Sequence, residues 1–158
     1  MRKLAASLIA LTMVTTPALA APGDVRVTGQ GTLEDGRTFN VNAVLYQDGT
    51  ARGHATIINR NFSGDTGRGP YRAHIDISCV KQLEDGTVVI GGFAERTNDS
   101  NLMDAVFFSV QDNGKDDLLS RAYFWDGDPN TTGDPAACQL SSAFPMEEVI
   151  RGNINVRD

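Results

Sequence analysis

The sequence predicts an all-β fold: an antiparallel meander of about eight strands that closes into a small barrel, with a two-sheet β-sandwich as the alternative. Apolar and polar residues alternate with a period of two along Tyr71–Cys79, and the same alternation runs through Phe39–Leu45. Asp-Gly and Asn-Gly pairs separate the strand-like segments and favour the positive φ angles of tight hairpin turns. No segment beyond residue 20 shows a convincing helical period.

The turn pairs divide the chain into its elements. They are Asp35-Gly36, Asp48-Gly49, Asp85-Gly86 and Asn113-Gly114. The predicted strands lie near residues 24–33, 37–47, 51–60, 71–83, 86–95, 104–112, 118–126 and 149–157. Pairing of the last strand with the first would close the barrel and remove two exposed sheet edges. Glycines within the strands fit bends at barrel corners: Gly29, Gly31, Gly53, Gly91 and Gly92. Met146–Arg151 is expected to form one helical turn at most.

Residues 1–20 have the three parts of a secretion signal. Arg2 and Lys3 are positive, Leu4–Val14 is mostly apolar, and Ala18-Leu19-Ala20 supplies the small residues that signal peptidase recognises. The apolar stretch is too short to cross a bilayer, which needs about 20 apolar residues. We therefore predict a cleaved signal peptide and a single mature domain, residues 21–158, that is secreted or periplasmic.

The charge of this mature domain is strongly negative. Arg2 and Lys3 are lost with the signal, so 12 of the 14 basic residues remain against 20 acidic ones, a net charge of −8. An acidic surface repels phosphate backbones, and no Lys/Arg cluster occurs along the sequence to oppose that repulsion. Neither a nucleic-acid partner nor a membrane span is expected.

The two cysteines, Cys79 and Cys138, are predicted to form a disulfide, because export places them in an oxidising compartment. Such a bond closes a loop of roughly 60 residues and stabilises the fold by about 4 kcal/mol in the chain-entropy model. Neither cysteine has a second Cys or a His at the spacing of metal ligands.

The long segment 126–148 contains an acidic cluster. Oxygen-bearing side chains alternate there, as in loops that wrap calcium: Asp126, Asp128, Asn130, Thr132 and Asp134. An EF-hand loop has Gly at its sixth position and Glu at its twelfth, whereas this chain has Thr131 and Ala137. A solvated acidic turn is the preferred interpretation, and no cofactor is expected; calcium bound by Asp126, Asp128, Asn130 and Asp134 is the alternative.

An aromatic run, Tyr123-Phe124-Trp125, ends the seventh predicted strand. Alternation places Tyr123 and Trp125 on one face and Phe124 on the other. Aromatic side chains at a barrel mouth bind sugars or apolar ligands, so Tyr123 and Trp125 are candidate ligand contacts. Ordinary core packing is the preferred interpretation of the run.

The two histidines, His54 and His74, fall on consecutive predicted strands and are also candidate ligand contacts. Together with Glu95 they would form an acid–base site if they converged in the barrel lumen, as in an isomerase or cyclase. The ordinary alternative is that they face solvent. Because no nucleophile elbow, zincin motif or phosphate-binding glycine loop occurs, no catalytic residue is assigned.

Several strand-and-turn motifs together resemble a family of secreted bacterial β-domains of uncharacterised function, which occur singly or appended to larger exported proteins. The motifs are Phe39–Ala43, Asp48–Thr50, Ile77–Val80, Val89–Gly92, Val110–Gly114, Cys138 and Arg151–Val156. The resemblance spans most of the mature chain and implies the fold and the disulfide. It implies no activity and no catalytic residue.

The expected function is that of an exported, non-enzymatic binding or interaction domain, whose ligand is a small apolar molecule, a glycan or a protein. Two alternatives are kept. One is a lumen enzyme of the isomerase or cyclase type that uses His54, His74 and Glu95. The other is a structural surface protein.

Overall fold

A computed structural model of the chain describes residues 24–61, 69–98, 105–125, 138 and 145–158. The strands in this part of the chain belong to one antiparallel sheet, and none of its residues forms an α-helix. The strands are β1 (Val25–Leu33), β2 (Thr38–Leu45), β3 (Ala51–Asn59), β4 (Tyr71–Gln82), β5 (Val88–Thr97), β6 (Ala105–Gln111), β7 (Leu118–Ser120), β8 (Tyr123–Trp125) and β9 (Met146–Arg157).

The sheet closes on itself. Each strand from β1 to β6 pairs with the next, β6 pairs with β7, β7 with β9, and β9 returns to β1 along Arg26–Leu33. Eight strands therefore form the closed barrel, and β8 is an additional strand that pairs with β6. The predicted all-β meander and its closure are confirmed, and the fold is the barrel rather than the sandwich.

The predicted strands differ from the observed ones near the C-terminal end. The predicted strand 118–126 is divided into β7 and β8 at Arg121 and Ala122. Just before the break, the hydroxyl of Ser120 accepts a bond from the amide of Ser109 and donates to the carbonyl of Arg121. The helical turn considered for Met146–Arg151 is wrong. These residues begin β9, because their main chain pairs with the short β7.

Apolar side chains of alternate residues point inward and fill the lumen. The core cluster draws on every barrel strand: Val27, Leu33, Phe39, Val41, Ala43, Ala55, Tyr71, Ala73, Ile75, Ile77, Val80, Val88, Ile90, Val106, Phe108, Val110, Leu119, Val149 and Ile154. The intervening residues of β1–β4 and β9 are mainly polar and face outward. The period-two pattern thus separates a packed interior from a polar outer wall.

Three of the Asp-Gly turns share one design. In each, the aspartate carboxylate accepts the amide of the residue two positions later, at Asp35, Asp48 and Asp85. The following glycines have φ angles of +83°, +82° and +83°, which side-chain-bearing residues rarely adopt. The same hydrogen bonds lower the carboxyl pKa of Asp48, where the Thr50 hydroxyl contributes most, and of Asp85, where the Thr87 amide contributes most.

Two strand glycines permit close approach of neighbouring backbones. A Cβ atom on Gly53 would overlap the carbonyl oxygen of Asn42 on β2, and one on Gly152 would overlap that of Gln30 on β1. Both glycines also have positive φ angles, +151° and +119°. These positions fit the predicted role of glycine at tight points of the barrel.

The disulfide joins Cys79 on β4 to Cys138, with Cα atoms 6.0 Å apart, as predicted. Cys79 lies opposite Gly91 on the outer wall. Nearby on that wall, Val89 and Ser109 oppose each other and are fully buried although they point away from the lumen. This region of the outer wall is therefore covered, and the disulfide attaches Cys138 to the same side.

A disulfide fits an oxidising compartment. Within the described ranges, no helix has the length and apolar character needed to cross a membrane. The predicted signal peptide and the candidate calcium ligands Asp126, Asp128, Asn130 and Asp134 lie outside the described residues.

Candidate binding surfaces

Where the described residues line it, the lumen has little free space. A cavity of about 20 Å³, enough for one water molecule, lies among Phe39, Ile57, Phe108 and Leu119. Ligand pockets of drug-sized molecules are roughly ten times larger or more. The interior of this barrel is therefore a packed core.

The two histidines lie on the outer wall. The strands β3 and β4 pair as expected, with His54 opposite Asp76 and His74 opposite Thr56. His54 and Glu95 are exposed, and His74 is half-buried. Glu95 is the extra residue of a bulge in β5. None of the three lines the lumen, so the structure does not assemble the predicted lumen site.

The aromatic run is divided between the two faces of the sheet. Tyr123 stacks on Phe107 with ring centroids 5.7 Å apart, and its side chain is half-buried. Phe124 points the other way and meets Tyr71 edge-on at 6.1 Å. Trp125 pairs through its main chain with Ala105. Tyr123 and the two histidines lie on different strands of the outer wall, and the described contacts do not bring them together.

One mouth of the barrel carries an ion-pair network. Glu147 on β9 accepts hydrogen bonds from Arg37 and from Arg121, whose Nε lies 2.7 Å from Oε1 of Glu147. Arg37 also bonds to Asp35. The Arg121 hydrogen bond is the largest influence that lowers the pKa of Glu147. Partial burial acts to raise the pKa of Asp35, but hydrogen bonds from Arg37 outweigh it and lower that pKa.

An open cleft of about 220 Å³ lies beside this network, lined by Ile57, Asn59, Tyr71, Phe124 and the guanidinium groups of Arg37 and Arg121. Phe124 is thus an aromatic residue of the run that lines this cleft, whereas Tyr123 and Trp125 were the candidate ligand contacts from the sequence. Since Asp35 and Glu147 neutralise the two arginines, the part of the cleft that the described residues form offers no unbalanced charge to a ligand.

The outer wall of five adjacent strands, β9, β1, β2, β3 and β4, carries two continuous polar rows. Strand register places one residue of each strand in each row. The first row is Asn155, Thr28, Asn42, His54 and Asp76, and the second is Asn153, Gln30, Asn40, Thr56 and His74. All of these side chains are exposed or half-buried. The polar rows present amide, hydroxyl and imidazole groups and the carboxylate of Asp76 side by side, at the spacing of about 4.8 Å between strands.

Arginines border the polar rows on both sides. Arg157, Arg26 and Arg52 flank the first row, Arg151 and Arg72 flank the second, and Arg96 extends the second row onto β5. All six are exposed. Among the described residues, Arg26 has a long ion pair, 4.0 Å, with Asp24, and the other five have none. A chain with a net charge of −6 thus gathers six cations on one face.

Two of the arginines line a surface groove of about 410 Å³ on β4 and β5. Arg72, His74 and Arg96 line it together with Gly69, Pro70, Thr97 and Asn98. The hydroxyl of Thr56 lies 3.1 Å from Nδ1 of His74 and fixes the ring. No acidic side chain is among the described residues that line this groove.

Sequence inspection missed this cationic face, because its arginines are far apart along the chain and become neighbours only through strand register. The polar residues of each alternating strand were the one feature of the sequence that could have indicated this face. Comparisons of the chain with protein-family models, with curated proteins and with solved structures find no match. The function is therefore inferred from the geometry and chemistry of these surfaces.

Proposed function

We propose that the protein is an exported, non-enzymatic binding domain that recognises a glycan through the outer wall of its barrel. The observation that carries this proposal is the pair of polar rows across β9, β1, β2, β3 and β4. Amides, hydroxyls and imidazoles donate and accept hydrogen bonds. A surface that carries donors and acceptors side by side matches the hydroxyl groups that a sugar chain presents along its length.

The packed lumen supports an outer-wall site. A cavity of about 20 Å³ cannot receive a sugar or a small apolar molecule. The histidines that the sequence singled out, His54 and His74, stand in the two polar rows, where they would contact a bound ligand as hydrogen-bonding groups. In this proposal His54 and His74 remain candidate ligand contacts, on the outer surface of the barrel instead of in its lumen.

Export is supported by the apolar leader, by the disulfide Cys79–Cys138 and by the resemblance to secreted bacterial β-domains. Intact-mass analysis of the protein recovered from its own host tests this part. We expect a chain that begins at Ala21 and is two daltons lighter than its reduced form. A recovered chain that retains residues 1–20, or that has both thiols free, would contradict export.

Binding is tested on an array of glycans, with the protein purified after expression of the full-length chain. We expect the protein to bind at least one class of polysaccharide. The paired substitution Asn40→Ala and Asn42→Ala should weaken that binding roughly tenfold, because each removes hydrogen-bonding groups from one polar row. Gln47→Ala removes an exposed amide from the β2–β3 turn and is the matched control. No glycan bound, or equal effects of the two changes, would refute the proposal.

A further inference from the structure

The groove at the β4–β5 end of the polar rows has the chemistry of an anion site. His74 lies directly opposite Arg96, and Arg72 lies two residues from His74 on the same face of β4. Neighbouring strands are about 4.8 Å apart, and alternate residues of one strand are about 7 Å apart. These spacings place Arg72, His74 and Arg96 around one groove of about 410 Å³, which has room for an anion of the size of a carboxylate or a sulfate.

Among the described residues, no carboxylate forms an ion pair with the cations of this groove. Arg72 and Arg96 have no ion pair within the described ranges. The nearest acidic residues along the strands are Asp76, which stands opposite His54 in the first polar row, and Glu95, the bulged residue before Arg96. Guanidinium groups keep their charge at any physiological pH and bind oxyanions with paired hydrogen bonds.

The wall of the groove is held in place by Asn98. Its side-chain amide donates to the carbonyl of Pro70 at 2.9 Å, and its side-chain oxygen accepts the amide of Arg72 at 2.8 Å. The amide of Asn98 in turn donates to the carbonyl of Arg72. These bonds fix the backbone of Arg72. The point from which its side chain extends is therefore set before a ligand arrives.

We infer that the glycan is acidic and that Arg72, His74 and Arg96 bind its carboxylate or sulfate groups. This inference rests on the proposed function and adds the charge of the ligand. The polar rows then contact the hydroxyl groups of adjoining sugars, and the flanking arginines attract the remaining charges of the polymer.

A glycan accounts for these features better than a nucleic acid does. Duplex DNA carries one charge per 1.7 Å or so of its length, and a chain of net charge −6 repels such a dense polyanion. Proteins that bind single strands stack bases mainly on Phe, Tyr and Trp side chains, and the two polar rows contain none of these three. An acidic polysaccharide carries its charges more sparsely and presents hydroxyl groups between them.

Two matched probes test the inference: a galacturonate hexamer, and the same hexamer with every carboxylate methyl-esterified. Calorimetric titration at low salt should show the acid hexamer binding at least tenfold more tightly than the ester. Arg72→Gln and Arg96→Gln should each remove most of that preference. The matched control is Lys115→Gln, which removes an exposed cation from the β6–β7 turn and should leave the preference unchanged. A sulfated hexamer in the same titration distinguishes sulfate from carboxylate as the preferred group.

The outcomes separate the two proposals. If the ester binds as tightly as the acid and the Asn40→Ala, Asn42→Ala pair weakens both, the inference fails and the proposed function stands. If the acid hexamer binds through Arg72 and Arg96 but ignores that asparagine pair, the anion groove is supported and the polar-row function fails. A single-stranded oligonucleotide that binds as tightly as the acid hexamer, or a Lys115→Gln effect as large as that of Arg72→Gln, overturns the inference.

Discussion

The carboxylate of Asp117 accepts a hydrogen bond of 2.6 Å from the main-chain amide of Ile154 in the C-terminal part of β9. The same carboxylate accepts the amide of Asn113, and Asp112 accepts the amide of Val156. Along β9, the short β7 pairs only with Met146–Glu148, at the start of the strand. Farther along β9, two turn carboxylates therefore take the place of a neighbouring strand.

Replacement of Asp117 by alanine should destabilise the barrel by roughly 2–4 kcal/mol. Asp117 is 3% exposed, so the substitution leaves the buried amide of Ile154 and the partly buried amide of Asn113 without this acceptor. Urea unfolding measures the change. Asp116→Ala alters the exposed neighbouring carboxylate and should have little effect. Equal unfolding midpoints for the two variants would show that the bonds to Asn113 and Ile154 do not hold the barrel closed.

Glu147→Gln should reduce the free energy of unfolding at pH 7 by about 1 kcal/mol, because Glu147 bonds to Arg37 and Arg121. The folded-state pKa of Glu147 is lowered from 4.5, so its stabilising contribution is complete above pH 4.5 and is lost as the pH falls through the folded value. The difference between wild type and variant should therefore shrink in acid. Urea unfolding at several pH values measures it, with Glu148→Gln as the control. A difference that stays constant down to pH 2 would argue against the ion-pair network.

Gly53→Ala should cost about 3 kcal/mol, because the new Cβ meets the carbonyl of Asn42 and forces β2 and β3 apart. Gly49→Ala is the comparison. It has a positive φ angle of +82° but no atom near its Cβ position, so only the backbone strain of about 1–2 kcal/mol applies. Thermal unfolding of both variants checks the order. A smaller loss at Gly53 than at Gly49 would contradict the close strand approach.

Removal of the disulfide by Cys79→Ala and Cys138→Ala should lower stability by about 4 kcal/mol, in the chain-entropy model, for a separation of 59 residues. The barrel itself should persist, since β1 and β9 close it through main-chain pairing. Urea unfolding gives the loss, and circular dichroism shows whether the β-sheet content is kept. Loss of the sheet signal in the absence of denaturant would mean that closure depends on the disulfide.

Much of the barrel follows from local pattern. Alternation in Tyr71–Cys79 and the Asp-Gly turns located the strands, since side-chain direction and turn geometry are set within a few residues. The break at Arg121 and the early start of β9 were missed, because Ser120 and Glu147 define them through contacts with distant strands. Such contacts cannot be predicted from the local sequence.

The candidate site was less predictable than the fold. His54 and His74 were predicted from the sequence as candidate ligand contacts. Their outward direction, however, depends on which half of the alternating residues packs inside the barrel. The groove needs Arg72 and Arg96, which no spacing rule connects, and their proximity depends on the bulge at Glu95 that sets the β4–β5 register. A one-residue slip would place Arg96 on the other face.

The pairing of β1 with β9 also has a consequence for how the chain assembles. During synthesis β1 emerges first. Its edge that pairs with β9 stays unpaired until nearly the whole barrel sequence has been made. Contacts between such distant segments form slowly, and an open edge invites pairing with other molecules. Cys138 emerges before β9, so the covalent link to Cys79 can form while the sheet is still open. The disulfide can thus limit the conformational freedom of the incomplete barrel while its sheet edge is still unpaired and most prone to aggregation.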